Sequence, residues 1–116
     1  MITKGIRGAI TVDNNSEEAI KCATVELLSE MFKANNLNKE YISHIIFTTT
    51  KDLNAMFPAK FARIDFGLNE AAMMCFHELD VPNSLPMCLR ILIVLNCQET
   101  FKPQFVYLKG AKKLRA

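Results

Sequence analysis

The chain has 116 residues and a net charge of +2, from 14 basic and 12 acidic side chains. That length favours one domain spanning residues 1–116, and so even a balance argues against general nucleic-acid binding through long-range charge. Half of the residues are hydrophobic and 22% are charged, which describes a packed domain and excludes a disordered chain; the apolar share suits either a well-filled core or a core plus an oligomer interface.

The opening residues, Met-Ile-Thr-Lys-Gly-Ile-Arg, lack the apolar stretch of a signal peptide. The longest strongly apolar run, 91–95, is far too short to span a bilayer. The expectation is a cytoplasmic protein with no membrane contact.

Residues 2–12 read as a strand, with Ile6, Gly8 and Ile10 on one face and Arg7, Ala9 and Thr11 on the other. Asp13, Asn14 and Asn15 form a turn. Asn15 is placed to cap a helix, with Glu18 three residues on. The spacing of Ile20, Ala23, Leu27, Leu28 and Met31 predicts an amphipathic helix to about Asn35. Residues 44–49 are β-branched and aromatic, hence a strand. Residues 51–58 are a loop, followed by a short helix over 59–66 that Pro58 can open and Gly67 can end. A third strand is expected over 71–75 and a Pro-containing loop over 82–86. Residues 87–96 are apolar on both faces, which predicts a central strand covered twice. Residues 105–108 make a last strand. The order β-α-β-α-β-β-β describes a mixed α/β domain with its helices packed on one side of a mixed sheet.

The four cysteines, Cys22, Cys75, Cys88 and Cys97, form no C-x-x-C pair and lie among apolar neighbours. Buried thiols acting as small hydrophobes account for them. The run Cys75-Phe76-His77-Glu78 invites a metal or Cys/His nucleophile reading, but the chain has only two histidines, His44 and His77. Further zinc ligands at suitable spacing are missing, and a Cys/His pair two apart lacks an orienting group. No metal site is expected. The C-terminal cluster Lys109, Lys112, Lys113 and Arg115 reads as a solvated tail.

Arg90 is out of place in Cys88-Leu89-Arg90-Ile91-Leu92-Ile93-Val94-Leu95. A guanidinium in a strand with two apolar faces either meets an anion or snorkels at the strand mouth. Arg7 raises a milder form of the question, since the flanking Gly5 and Gly8 leave room for something to approach. Arg63, on the short helix, reads as solvated.

These residues also carry a resemblance. Gly5-Ile6-Arg7-Gly8-Ala9 with Thr11-Val12, Asp52-Leu53-Asn54-Ala55-Met56-Phe57-Pro58-Ala59-Lys60 with Arg63, Cys75 with Glu78 to Val81, Cys88-Leu89-Arg90, and Val106-Tyr107-Leu108 with Leu114-Arg115 follow one another. In that order, at near-family spacing, they resemble chorismate mutases of the AroH type from about residue 3 to Arg115. The sequence departs from that pattern at Met74, where the family more usually has a small polar residue. It also stops at Ala116, before the family's longer tail, which implies looser closure over the site and an effect on KM more than on kcat.

The resemblance implies conversion of chorismate to prephenate by a homotrimer with a pseudo-barrel centre and active sites between subunits. Arg90 would face the ether oxygen of the breaking bond, Arg7 a substrate carboxylate and Glu78 the ring hydroxyl. Tyr107 would hydrogen-bond the ligand. Phe57, Ala59, Met73, Met74 and Cys75 would line the pocket together with Phe76 and His77. Lys60, Arg63 and Arg115 would sit at its mouth, and Leu114 would also contact the substrate. The rearrangement is unimolecular and needs no nucleophile, metal or cofactor, so fixed charges and a held conformation are all that a protein has to supply. Simple alternation puts Cys75 and Glu78 on opposite faces; both can reach one ligand only if the chain leaves the strand after Cys75, for instance by a helical turn. The alternatives are a RidA-like trimeric imine deaminase, or a non-catalytic subunit that binds a small carboxylate.

Overall fold

The computed structural model describes the backbone of residues 1–115 and side chains through Leu114. In chain order it contains β1 (Ile2–Thr11), α1 (Glu17–Asn35), β2 (Ile42–Thr49), α2 (Pro58–Ile64), β3 (Ala72–His77), β4 (Cys88–Cys97) and β5 (Val106–Leu108). Short 3-10 helices at Lys39–Tyr41 and Lys109–Arg115 complete it. The five strands form one sheet in the order β3-β2-β4-β1-β5. The β3/β2 and β1/β5 pairs are parallel, and β4 runs antiparallel to both of its neighbours. This is the mixed sheet expected from the pattern.

Helix α1 buries Ile20, Ala23, Leu27, Leu28 and Met31, the stripe set by the 3.6-residue period. Its cap is Ser16 and not Asn15. Ser16 has extended backbone (φ −136°), and its hydroxyl accepts the Ala19 N–H at 3.1 Å. The physical reason is register: the first helical residue is Glu17, so the side chain that can reach a free first-turn N–H is one position later than the sequence suggested. At the far end Asn36 turns the chain with φ 48°.

Helix α2 starts at Pro58, whose missing N–H costs nothing in the first turn. It stops at Ile64, two residues early, and closes through N–H groups of Phe66 and Leu68 donated to the carbonyls of Phe61 and Ala62 at 3.1 Å each. Gly67 then takes φ +75°. Both helices pack on one sheet face. Gly8 permits that approach, because a Cβ there would run into the Met31 and Leu27 side chains of α1.

The opposite face stays largely open. β4 buries Leu89, Ile91, Ile93 and Leu95 under the helices, while Arg90, Leu92 and Val94 are half-buried on the other side. The expectation of a strand covered twice is therefore corrected. Within the chain, the second face is closed only near Cys88, where Ala9, Cys88 and Ala111 are packed by Leu85, Tyr107 and Leu114. Both helices are spent on the same face, so among the described residues the other apolar face is met only by the segments around Leu85, Tyr107 and the C-terminal 3-10 helix. β3 is also longer than expected and runs without a break to His77.

Candidate active site

Residues opposite one another in a ladder share a face. Arg90 pairs with Thr48 on one side and Ala9 on the other, and Ala9 pairs with Tyr107. One register step away, Leu92 pairs with Ile46 and Arg7. The open face thus brings Arg7 and Arg90 together on adjacent strands. Beyond the end of β3, Glu78 keeps the alternation because its N–H still donates to the Thr49 carbonyl at 2.8 Å. Its carboxylate turns to the same face.

Arg90 Nε lies 3.6 Å from Glu78 Oε2, with the two side chains 27% and 31% exposed. That distance makes an ion pair and exceeds a hydrogen bond. Among the described residues, Arg90 Nε is the buried side-chain nitrogen left without a hydrogen-bond partner. Such a donor costs stability, on the order of 1–3 kcal/mol, unless an acceptor reaches it. Glu78 is oriented from two sides: Oε2 accepts the Thr48 hydroxyl at 3.1 Å, and Oε1 accepts the Leu79 N–H at 3.1 Å. Arg7, Gly8, Ile46, Thr48, Glu78, Arg90, Ile91 and Leu92 enclose a cleft of about 190 Å³. Thr48 was not among the residues singled out from the sequence. Its signal was its parity in β2, on the face opposite Phe47, but a threonine in a strand is too ordinary to stand out.

A second, larger cavity of about 360 Å³ lies where the loop before α2 meets β3. Phe57, Cys75, Phe76 and His77 line it with Leu53 and Met56. Phe57 is 68% exposed. Cys75 pairs with Phe47 and packs against the core on the helix side. Burial pushes its thiol pKa up, and a hydrogen bond from the Ala59 backbone opposes the shift. The His77 ring nitrogen Nδ1 sits 3.2 Å from the Thr49 carbonyl and 3.3 Å from its hydroxyl. Lys60 engages Glu17 at 3.7 Å, and Arg63 is exposed on α2.

The remaining residues fall elsewhere. Met73 packs against the core opposite Ile45, and Met74 projects from the open face opposite Ile46, 60% exposed. Tyr107 and Leu114 pack around Ala9, Cys88 and Ala111. The role expected of the Arg115 side chain lies outside the described residues. The backbone makes no helical turn after Cys75, since β3 continues through His77. Within one chain, Cys75 and Glu78 therefore serve different faces, and Arg7, Glu78 and Arg90 stand apart from Phe57 and Cys75.

The sequence profile of the family described as chorismate mutase type I matches residues 3–116. The chorismate mutase AroH of Thermus thermophilus is 42% identical over 119 aligned positions, covering 98% of this chain and 94% of that protein. The chorismate mutase AroH of Bacillus subtilis is 34% identical, covering 99% and 91%. A solved chorismate mutase from Clostridium thermocellum superposes with a TM-score of 0.90 at 44% identity, covering 95% of this chain and 98% of that one. With that coverage, and with the same sheet and helices in place, the chain belongs to the type I chorismate mutase family.

Proposed function

We propose that this protein is a chorismate mutase, converting chorismate to prephenate on the route to phenylalanine and tyrosine. The observation that carries the proposal is the convergence of Arg7, Glu78 and Arg90 on one face, with Arg90 Nε buried, ion-paired to Glu78 and without a hydrogen-bond partner. As the C–O bond of chorismate breaks, negative charge grows on the ether oxygen and positive character on the ring. A fixed guanidinium at that oxygen and a carboxylate near the ring stabilise the transition state more than the ground state. Arginine suits the position because it stays charged when buried and presents a rigid fork of donors. Arg7 holds a substrate carboxylate, and Tyr107 hydrogen-bonds the ligand. These contacts also hold the enolpyruvyl arm over the ring, which removes entropy before the reaction.

The division of the residues between two places supports a site shared by neighbouring copies. One copy supplies Arg7, Glu78, Arg90 and Tyr107, and the next supplies the wall with Phe57, Ala59 and Cys75. Lys60 and Arg63 gather the dianion at the mouth. The open face, with Ile46, Met74, Phe76, Leu92 and Val94, is the surface that would meet another subunit in a homotrimer. We place the enzyme in the cytoplasm, a reading supported by an N-terminus without a signal-like apolar stretch.

Loss of chorismate absorbance, followed with purified protein and no added metal or cofactor, tests the activity. Absence of turnover would defeat it. Sedimentation tests the shared site: a stable, active monomer would refute it.

A further inference from the structure

We infer that Asn15 is a positioning residue for the Phe57 wall of the site, an inference that rests on the proposed activity. Asn15 is released from capping because Ser16 takes that role. Its amide is used on a segment 39 residues away. Oδ1 accepts the N–H groups of Asn54 and Ala55 at 3.0 Å each. Nδ2 donates to Asn54 Oδ1 at 2.8 Å. One side chain thereby sets the direction of two successive peptide groups.

Those peptides belong to the stretch between two anchors. On one side Leu53 is 1% exposed, and its carbonyl accepts the Thr49 hydroxyl. On the other, Pro58 is buried at the start of α2. Between them Asn54, Ala55 and Phe57 are exposed, and only Met56 is half-buried. Apolar packing therefore does little to hold this stretch, although Asn54, Ala55, Met56 and Phe57 all line the larger cavity. A loop with few buried contacts opens locally at small cost. The Asn15 hydrogen bonds limit that opening, and so keep the Phe57 ring in place before the substrate arrives.

The test combines kinetics on chorismate with hydrogen exchange of the Asn54 and Ala55 amides. Asn15→Ala should raise KM roughly three- to tenfold and leave kcat within about twofold, the size of about one net intrachain hydrogen bond, felt equally by bound substrate and transition state because each must then order the loosened wall. Exchange at Asn54 and Ala55 should quicken by a similar factor without any substrate present. Asn15→Asp should restore both readings, because its carboxylate still accepts the two N–H groups and the Asn54 amide can turn to donate to it. Asn54→Ala, which removes only the side-chain contact, should give a smaller effect. Unchanged KM and unchanged exchange in Asn15→Ala would overturn the inference. So would a fall in kcat at constant KM, or a loss that Asn15→Asp fails to restore. If the native protein does not turn over chorismate, the activity itself fails; unchanged exchange in Asn15→Ala would then also remove the latch, whereas quickened exchange would leave the latch standing without its catalytic meaning.

Discussion

Exchange of Arg90 for lysine separates charge from geometry at the proposed ether-oxygen contact. The lysine keeps a cation near Glu78, so the pairing seen at 3.6 Å is not replaced by an unpaired carboxylate. It removes the planar fork whose Nε is buried and without a hydrogen-bond partner. Loss of one preorganised donor at a developing oxyanion costs about 2.7–4 kcal/mol, a fall in kcat of about 100- to 1,000-fold. The cost in stability is of a different order. The pair is nearly one-third exposed on both sides, and pairs so open to solvent contribute about 0–1 kcal/mol; the melting temperature should move by no more than a few degrees. Steady-state rates from chorismate absorbance, beside a thermal melt by circular dichroism, give both numbers on one sample. A folded variant with kcat within about threefold of the native enzyme would refute the assignment of Arg90, since that is under a quarter of the expected free-energy change. A variant that melts far lower would instead make Arg90 a structural arginine.

Thr48→Val should lower kcat by about 10- to 100-fold, the range for a hydrogen bond to a charged group, because Glu78 loses the hydroxyl that orients Oε2; Thr48→Ser should recover most of it, and equal rates in both variants would dismiss the contact. Gly8→Ala should destabilise the fold by about 1–3 kcal/mol in denaturant titration through overpacking against Met31 and Leu27; an unchanged midpoint would mean that α1 does not seat on Gly8. The Cys88 thiol provides a pH test. Burial raises its pKa above the ordinary 9.0, with Arg90 as the main opposing influence. Folded and unfolded chains hold the same proton below that value; above it the unfolded chain loses its proton first, so stability falls with rising pH until the folded thiol ionises. Cys88→Ala should lessen the decline in urea-unfolding free energy above about pH 9, and an identical decline in both proteins would place the cause elsewhere.

Much of the architecture was legible because it depends on near neighbours in sequence. The α1 stripe follows the helical period, the alternation in β1 put Arg7 on the face opposite Ile6, and a charge amid the apolar run of β4 marked Arg90. Helix and strand ends were less so. Whether Asn15 or Ser16 caps α1 turns on a one-residue choice between two good capping side chains. The pattern of β4 implies two covered faces, and within the chain the second face is only half-buried at Arg90, Leu92 and Val94. A strand pattern records that a face is apolar and says nothing of what covers it.

The site shows the same division. The sequence by itself determined which side chains are available: an arginine in each of two strands and a glutamate after a third. Tertiary structure decided how they combine. Glu78 meets Thr48 across 30 residues and Asn15 meets Asn54 across 39, contacts that local periodicity does not encode. The unbroken run of β3 to His77 decided that Cys75 and Glu78 face opposite ways. The reason is that a strand's two-residue period sets which side each residue faces, while the partner across the sheet depends on register and strand order, and these emerge only when the whole chain packs.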